Sequence, residues 1–375
     1  MAGGSGSKKK TARRRRNRKP NRAAQLTDDL LVEILARVPY RSLCRSRCVS
    51  TRWRALISHP DHRARLPQTL AGIFYFAMLG SPDWTPPRYC FTRVPGTGLP
   101  FIHPSFSFLP DRERKRLVPV DCCNGLLLCR SHRFADDHEF DYLVLNPATE
   151  KWVAVPITRR CSGKVQMVRL GFDHAVSSHF YLFEFQVEID DDDYDAAYGY
   201  VLGVEIYSSA TGVWSHKQSG WRNEISLDPD FKSVFLEGML YVNARKQVIP
   251  PLDVEGGNWR IIGCPRSNPP PFYSTAVGFI DLSQGQLHLA NVDDMVGDKL
   301  AIWVLEDKDS EEWTLKHTVS FEHLVRTKHV YFGLHDFIVV AIHPDRNMVF
   351  FVFGIEKRLM SPPLDSGKVG IIHKL

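Results

Sequence analysis

The sequence predicts a small all-α unit of three helices followed by a large all-β domain, with a disordered basic tail in front. Apolar residues recur with helical spacing between residues 26 and 59. Short runs of β-branched and aromatic residues, separated by turn-forming clusters, fill most of the rest. Residues 1–25 contain too few hydrophobic side chains to offset the entropy of ordering. We therefore place boundaries at 1–25, 26–68 and 69–375.

The overall composition is that of a globular protein able to bury a large core. The chain has 375 residues, of which 43% are hydrophobic and 24% are charged. Its eight cysteines show no paired spacing, and no apolar run approaches the ~18 residues that a membrane span requires. We expect an intracellular, reduced protein that lies in the nucleus, the cytoplasm or both and does not enter a membrane.

The positive charge is concentrated in the tail. The chain has 48 basic and 42 acidic side chains, net +6, and ten of the basic ones lie in residues 1–25; the remaining 38 against 42 give −4. The tail is therefore predicted to be a nuclear import signal or a polyanion-binding arm. Nucleic-acid contact beyond weak binding by this tail is disfavoured. The import residues are Lys8, Lys9, Lys10, Arg13, Arg14, Arg15, Arg16, Arg18 and Lys19.

The first predicted helix lies in LTDDLLVEILARVP, residues 26–39. Thr27 is its expected N-cap, and the two following aspartates favour the positive end of the helix dipole. Five apolar side chains span an arc of about 140° at ~100° per residue. Pro39 is expected to end the helix. The arc consists of Leu30, Leu31, Ile34, Leu35 and Val38.

Two further short helices are expected, one around Leu43 and Val49 and one capped by Ser50 or Thr51 that stops before Pro60. Three helices in about forty residues rarely build a self-sufficient core. Part of the apolar arc is therefore predicted to be a docking face for another protein. The alternative is that the arc packs on the C-terminal region of this chain.

Residues 26–57 resemble an F-box, the module that binds an Skp-type adaptor in cullin-based ubiquitin ligases. The resemblance covers the opening leucine, the Asp-Leu-Leu run, the Val-Pro pair and the closing Trp-Arg and Leu-Ile pairs. The chain departs from the family where Thr27 replaces the usual proline, although both residues start helices well. The resemblance implies an adaptor-binding surface, or its direct support, formed by Leu26, Leu30, Ile34, Leu35, Val38, Pro39, Leu43, Val49 and Trp53.

The β-rich region shows a faint repeat. Three segments share an apolar strand, a polar turn and a tryptophan that opens a second strand, at Trp152, Trp214 and Trp313, and Trp259 is a weaker fourth. Kelch-type blades repeat at ~50 residues, so a β-propeller of about six blades is predicted for residues 69–375. Each tryptophan is expected to pack between neighbouring blades. A pair of β-sandwiches is the alternative architecture.

The order of segments also resembles the F-box-associated domains of plant F-box proteins. The resemblance is carried by CCNGLLLC at 122–129, LVLNPATEKWVAVP at 143–156, LGFDHAVSSHFYLFEF at 170–185 and VEIYSSATGVWS at 204–215. It implies a kelch-like, propeller-type domain that binds a target.

No catalytic or cofactor-binding motif is present in the sequence. A zinc site is disfavoured because Cys122 and Cys123 are adjacent and would point to opposite faces of a strand, although Cys129, His132 and His138 lie nearby. The acidic run at 188–195 lacks the glycine and terminal glutamate of a calcium loop, so it is interpreted as a solvated loop, with attraction of a basic substrate as the minority interpretation. We expect no cofactor, no metal and no enzymatic activity.

Target recognition is assigned to loops of the β domain. Aromatic side chains dominate binding hot spots, and the candidate anchors are Trp84, Tyr89, Phe272 and Tyr273. The predicted function is that of a substrate receptor in an Skp–cullin–F-box ligase with an unidentified target. Two alternatives stay open: a non-degradative F-box scaffold or nuclear regulator, and a propeller that binds a carbohydrate or small molecule.

Overall fold

A computed structural model of the chain describes residues 26–38, 40–59, 62, 65–66, 70, 72–77, 88–94, 105–114, 117–132, 140–158, 167–173, 176–188, 199–221, 224–229, 231–265, 278–292, 299–307, 309, 311–320, 337–344, 346–354, 357–361, 364 and 370–374. The basic tail, Pro39, Trp84, His138, Phe272 and Tyr273 lie outside these residues, as do residues 189–195 of the acidic run.

Helices are confined almost entirely to the N-terminal part of the described chain. They are α1 (Asp28–Ala36), α2 (Tyr40–Ser46), α3 (Thr51–Ser58) and, ahead of the third strand, the single turn α4 (Asp111–Arg114). A 3-10 turn spans Arg245–Gln247. In the described residues no helix has both the length and the apolar character needed to span a bilayer.

The rest of the described chain forms antiparallel sheets. The strands are β1 (Gly72–Ala77), β2 (Arg88–Arg93), β3 (Leu117–Cys123), β4 (Leu126–His132), β5 (Phe140–Asn146), β6 (Lys151–Val155), β7 (Met167–Phe172), β8 (Phe180–Glu188), β9 (Tyr200–Ser208), β10 (Val213–Gln218), β11 (Ser233–Leu236), β12 (Met239–Val242), β13 (Val248–Ile249), β14 (Pro251–Asp253), β15 (Ile262–Gly263), β16 (Phe279–Ser283), β17 (Gln286–Val292), β18 (Lys299–Asp307), β19 (Glu312–Ser320), β20 (Phe337–Ile342), β21 (Val349–Phe353), β22 (Arg358–Ser361) and β23 (Gly370–Lys374).

The sheets are five propeller blades plus a hairpin. Blades I (β3–β6), II (β7–β10), IV (β16–β19) and V (β20–β23) are four-stranded meanders. Blade III combines the three-stranded sheet β11-β12-β14 with the short pair β13-β15. The hairpin β1-β2 is a separate two-stranded sheet.

Six apolar clusters join these units into a ring. Four of them lie between successive blades from I to V. The fifth joins blade V to the hairpin through Ile73 and Val94, and the sixth joins the hairpin to blade I through Phe74. The hairpin therefore occupies a sixth position, and the predicted count of about six corresponds to five blades and this hairpin.

Both faces of the propeller sheets are buried, which explains why the sequences of the strands are continuous apolar runs. In blade II, Val168 and Leu182 pack toward blade I while Met167, Phe183 and Phe185 pack toward blade III. A sheet covered on both faces needs hydrophobic residues at successive positions and not only at alternate ones. The arrangement is a ring of sheets, so the β-sandwich alternative is wrong.

The repeated tryptophans behave as predicted at three of four positions. The indole N–H of Trp214 donates to the Pro156 carbonyl of blade I at 2.9 Å, and that of Trp313 donates to the Gly263 carbonyl of blade III at 2.9 Å. Trp259 packs edge-to-face on Trp221 between blades II and III. The prediction is wrong for Trp152, which is 40% exposed and belongs to no apolar cluster of the described residues.

Candidate functional site

The candidate site begins at α1, whose start is fixed by its cap. The Thr27 hydroxyl accepts a hydrogen bond from the Leu30 backbone N–H at 3.4 Å, as the sequence predicted, and Asp28 and Asp29 occupy the first turn. At α3 the Ser50 hydroxyl accepts from the Trp53 N–H at 3.1 Å, which selects Ser50 over Thr51 as the cap. Both helices therefore start at positions set by local sequence.

Ion pairs fix the position of α1 relative to α3 and to the segment that follows it. The Arg52 guanidinium lies 2.6 Å from the Asp28 carboxylate and also donates to the Leu26 carbonyl at 2.6 Å, tying α3 to the start of α1. Glu33 accepts from Arg37 on the same helix and from Arg65 beyond α3, at 2.7 and 2.9 Å. These exposed pairs contribute little energy individually, but together they fix the orientation of α1.

The interior of the three-helix unit takes only part of the apolar arc. Leu31, Val32 and Leu35 are each 1% exposed and pack on α3 and on Leu43. Leu56, Ile57 and Leu66 complete this core, and Trp53 packs against both of its clusters. The buried face of α1 is thus displaced toward Val32, which lies outside the predicted arc.

The other edge of the arc faces solvent. Leu30 is 52% and Ile34 is 45% exposed. The second helix ends at Ser46 and does not reach Val49, which lies in the following turn and is 63% exposed. We call Leu30 and Ile34 of α1 the open apolar face.

The remaining predicted adaptor residues divide into two groups. Leu26, Val38 and Trp53 are half-buried, so part of each side chain is accessible. Leu35 and Leu43 lie in the interior and can support the surface but cannot contact a partner directly.

Of the four predicted target-binding aromatics, only Tyr89 has a described backbone. It lies in β2 opposite Phe76, and its side chain lies outside the described residues.

The propeller presents two different faces. Hairpin turns of two residues join β3 to β4, β11 to β12 and β16 to β17. The longer connections at 189–199, 264–278 and 321–336 join strand ends at the opposite face, because consecutive strands are antiparallel and the blades repeat around one axis. We call the face where these connections join the strands the long-connection face. By sequence, the acidic run and the Phe272–Tyr273 segment belong to two of the connections, and both lie outside the described residues.

The two-residue turns follow a pattern that the sequence analysis missed. Asp121-x-x-Asn124-Gly125-x-Leu127 recurs as Asp281-x-x-Gln284-Gly285-x-Leu287. Each glycine has a positive φ, 83° and 75°, and so does the residue before it, as a tight hairpin turn requires. This spacing could have been found in the sequence as a blade signature.

The aspartate of each pattern links neighbouring blades. Asp121 of blade I accepts from the Leu170 N–H of blade II at 2.8 Å, and Asp281 of blade IV accepts from the Ile342 N–H of blade V at 2.9 Å. Asp281 also pairs with Lys232 of blade III at 2.6 Å. Burial raises the pKa of Asp121, while Arg169 and the backbone donors act in the opposite direction. These carboxylates are engaged in holding the ring together.

The buried and half-buried cysteines of the propeller, Cys123, Cys129 and Cys264, are poorly suited to nucleophilic chemistry. Burial raises the pKa of Cys264 to about 12. Burial also raises the pKa of Cys123 and Cys129. Thiols of this kind carry little thiolate at neutral pH. Within the described part of the chain, no three His, Cys, Asp or Glu side chains are grouped so as to hold a metal ion.

Comparison with known families decides the assignment of these two units. An F-box domain model matches residues 24–64, and a model described as "F-box protein At3g26010-like, beta-propeller" matches residues 96–373. The chain belongs to this family of F-box proteins. The resemblance predicted from the sequence is confirmed, as is the order of a short helical F-box followed by a β-propeller.

Several Arabidopsis thaliana F-box proteins are similar to this one. F-box protein At5g07610 is 25% identical over 309 residues, which cover 79% of this chain and 71% of the relative. The F-box/kelch-repeat protein At1g15680 is 25% identical over 375 residues, covering 94% and 85%. The structural match to one chain in the crystal structure of the mitotic checkpoint complex covers 71% of this protein and 71% of that chain, with 14% sequence identity and a TM-score of 0.36.

Proposed function

We propose that this F-box protein is the substrate-recognition subunit of an Skp–cullin–F-box ubiquitin ligase. Its F-box would dock on the Skp-type adaptor and through it on a cullin, while the propeller would hold a target protein. F-box domains in general bind Skp-type adaptors, and F-box propeller proteins are typically non-catalytic. The rate gain would come from a raised local concentration of target lysines near the charged ubiquitin-conjugating enzyme.

The open apolar face is the observation that carries this proposal. α1 has already buried Leu31, Val32 and Leu35 in its own core, whereas Leu30 and Ile34 are left about half exposed and belong to neither apolar cluster of the described helices. Fully burying such a side chain stabilises by about 1.5–3 kcal/mol, so covering the exposed half of each contributes roughly 1 kcal/mol. A partner that covers this face would gain that free energy.

Target binding is proposed for the long-connection face of the propeller. Long connections on a rigid scaffold are where proteins most often place binding residues. Phe272, Tyr273 and the acidic run belong to its long connections, and the acidic run is suited to a basic segment of the target. Trp84 and Tyr89 stay candidate anchors outside these connections, with Tyr89 in strand β2.

The proposal is tested by a pull-down of a Skp-type adaptor with the double variant Leu30→Asp/Ile34→Asp. Charge on the open apolar face should abolish co-purification while the propeller stays folded, because neither side chain belongs to the core. The matched control is Val176→Asp/Val213→Asp, which places the same charges on two propeller valines that are 61% exposed. Adaptor capture by the Leu30/Ile34 variant at the wild-type level would reject adaptor docking through α1.

A second experiment, which measures the abundance of co-purifying proteins, tests the ligase role itself. Proteins that co-purify with the wild-type chain should accumulate when the proteasome is inhibited and when the chain is lost. Partners whose abundance does not change would instead support a non-degradative scaffold.

A further inference from the structure

A cleft of 230 Å³ lies between blades IV and V of the propeller. Its walls come from β16, β17, β18 and β19 of blade IV and from Ile342 and the β20–β21 connection of blade V. Ile302 and Ile342 belong both to the apolar cluster between these blades and to the lining of the cleft. Most of the other lining residues are polar. The cleft is separate from the F-box helices.

The charged groups that line the cleft are basic. Lys316 of blade IV and Arg346 of blade V are both exposed, so solvent and ligands can reach them. Two imidazoles, His288 and His317, and the amide of Gln286 add to the wall. Among the described residues that line the cleft there is no aspartate or glutamate.

The rim is held across the two blades by a side-chain contact. The Gln284 amide donates to the Asn347 carbonyl oxygen at 2.7 Å and so joins the β16–β17 turn to the β20–β21 connection. Lys316 pairs with Glu306, but both side chains are nearly half exposed, so this pair is weak and an anion of higher charge can compete for the ammonium.

His288 is a buried imidazole in the wall of the cleft. Burial lowers the pKa of His288, while the Gln286 hydrogen bond and the charge of Asp281 act in the opposite direction and the charges of His317 and Lys316 in the same one. Its Nδ1 lies 3.0 Å from the Gln286 carbonyl, which can only accept, so Nδ1 carries the proton and Nε2 is the acceptor in the neutral ring.

We propose that this cleft binds a phosphate monoester group. An ammonium from one blade and a guanidinium from the next suit a compact dianion with three terminal oxygens, since a guanidinium can contact two of them and an ammonium a third. The side-chain amide of Gln286 in the wall is a further N–H donor group. The ligand would be a phosphorylated side chain or a small phosphorylated molecule, and the proposal does not depend on adaptor docking.

The test is calorimetric titration of the 375-residue chain with inorganic phosphate, a phosphoserine peptide, glucose 6-phosphate and glutarate. The test variant is Lys316→Gln/Arg346→Gln. The control is Lys151→Gln/Arg112→Gln, which removes the same charge from exposed positions that do not line the cleft. We expect the wild type and the control to bind the phosphate probes, and the test variant to lose at least about tenfold in affinity.

The two phosphorylated probes distinguish whether the phosphate group that binds belongs to a protein side chain or to a small molecule. Tighter binding of the phosphoserine peptide than of glucose 6-phosphate would assign the site to a phosphorylated protein, and the reverse order to a small molecule. Absence of phosphate binding to the wild type, equal losses in both variants, or tighter binding of glutarate than of every phosphate probe would overturn the proposal.

Discussion

A large pH-dependent contribution to stability is expected from Glu184, a buried carboxyl between blades I and II. Glu184 lies on β8 with 0% exposure, directly opposite Glu205 on β9, which is 3% exposed. The Thr158 hydroxyl donates to Glu184 at 3.4 Å. Burial raises the pKa of Glu184 from 4.5 to about 7, and the charge of Glu205 adds to this, against the Thr158 hydrogen bond and the charge of Arg130.

The sign of the effect follows from the raised pKa. Between pH 4.5 and about 7 the folded chain binds this proton more strongly than the unfolded chain does. The contribution of Glu184 to the free energy of unfolding therefore falls as pH rises through this window, by roughly 3 kcal/mol in total. Glu184→Gln resembles the protonated acid in shape and has no charge to acquire, so it should escape this loss.

The assay is urea denaturation of wild type and Glu184→Gln at about pH 5 and about pH 8. We expect nearly equal stability at the lower pH and a variant that is more stable by up to about 3 kcal/mol at the higher pH. Glu188→Gln, at the exposed end of the same strand, is the control for removing one carboxylate. The same stability difference at both pH values, or a variant less stable at about pH 8, would refute the reasoning.

Two further predictions concern ring closure and the tail. Asp281→Ala should destabilise the propeller by about 1–3 kcal/mol because it leaves the Ile342 N–H without its acceptor and the half-buried Lys232 without its partner. Asp281→Asn should cost less because it retains an acceptor, and an unchanged urea midpoint for the alanine variant would contradict this. We also propose that residues 1–25 direct nuclear import, so a fluorescent fusion lacking them should become cytoplasmic, and retained nuclear signal would reject that role.

The local elements of the fold could be predicted from sequence because short-range chemistry determines them. The Thr27 cap, the aspartates of the first helical turn and the tryptophan repeat at Trp214 and Trp313 all carry their signal within a few residues. The number of blades depends on how sheets pair around the ring. The hairpin β1-β2 could therefore be placed between blades V and I only from tertiary packing.

Site residues were harder to predict wherever tertiary packing decides which part of a surface is covered. The apolar arc of α1 is continuous in sequence, yet α3 covers its Leu35 edge together with Val32 and leaves Leu30 and Ile34 open. The basic cleft has no sequence signature because Lys316 and Arg346 come from different blades. By contrast, the Asp-x-x-Asn/Gln-Gly-x-Leu pattern was visible in the sequence and could have been used.

The most direct test of the account is the equilibrium affinity of a purified Skp-type adaptor for the chain and for Leu30→Ala/Ile34→Ala. Truncating the two half-exposed side chains should remove roughly 2 kcal/mol or more, so we predict a dissociation constant raised at least about 30-fold. The control Val176→Ala/Val213→Ala should bind as tightly as the wild type. An adaptor that binds the Leu30/Ile34 variant with unchanged affinity, or fails to bind the wild-type chain, would contradict the account.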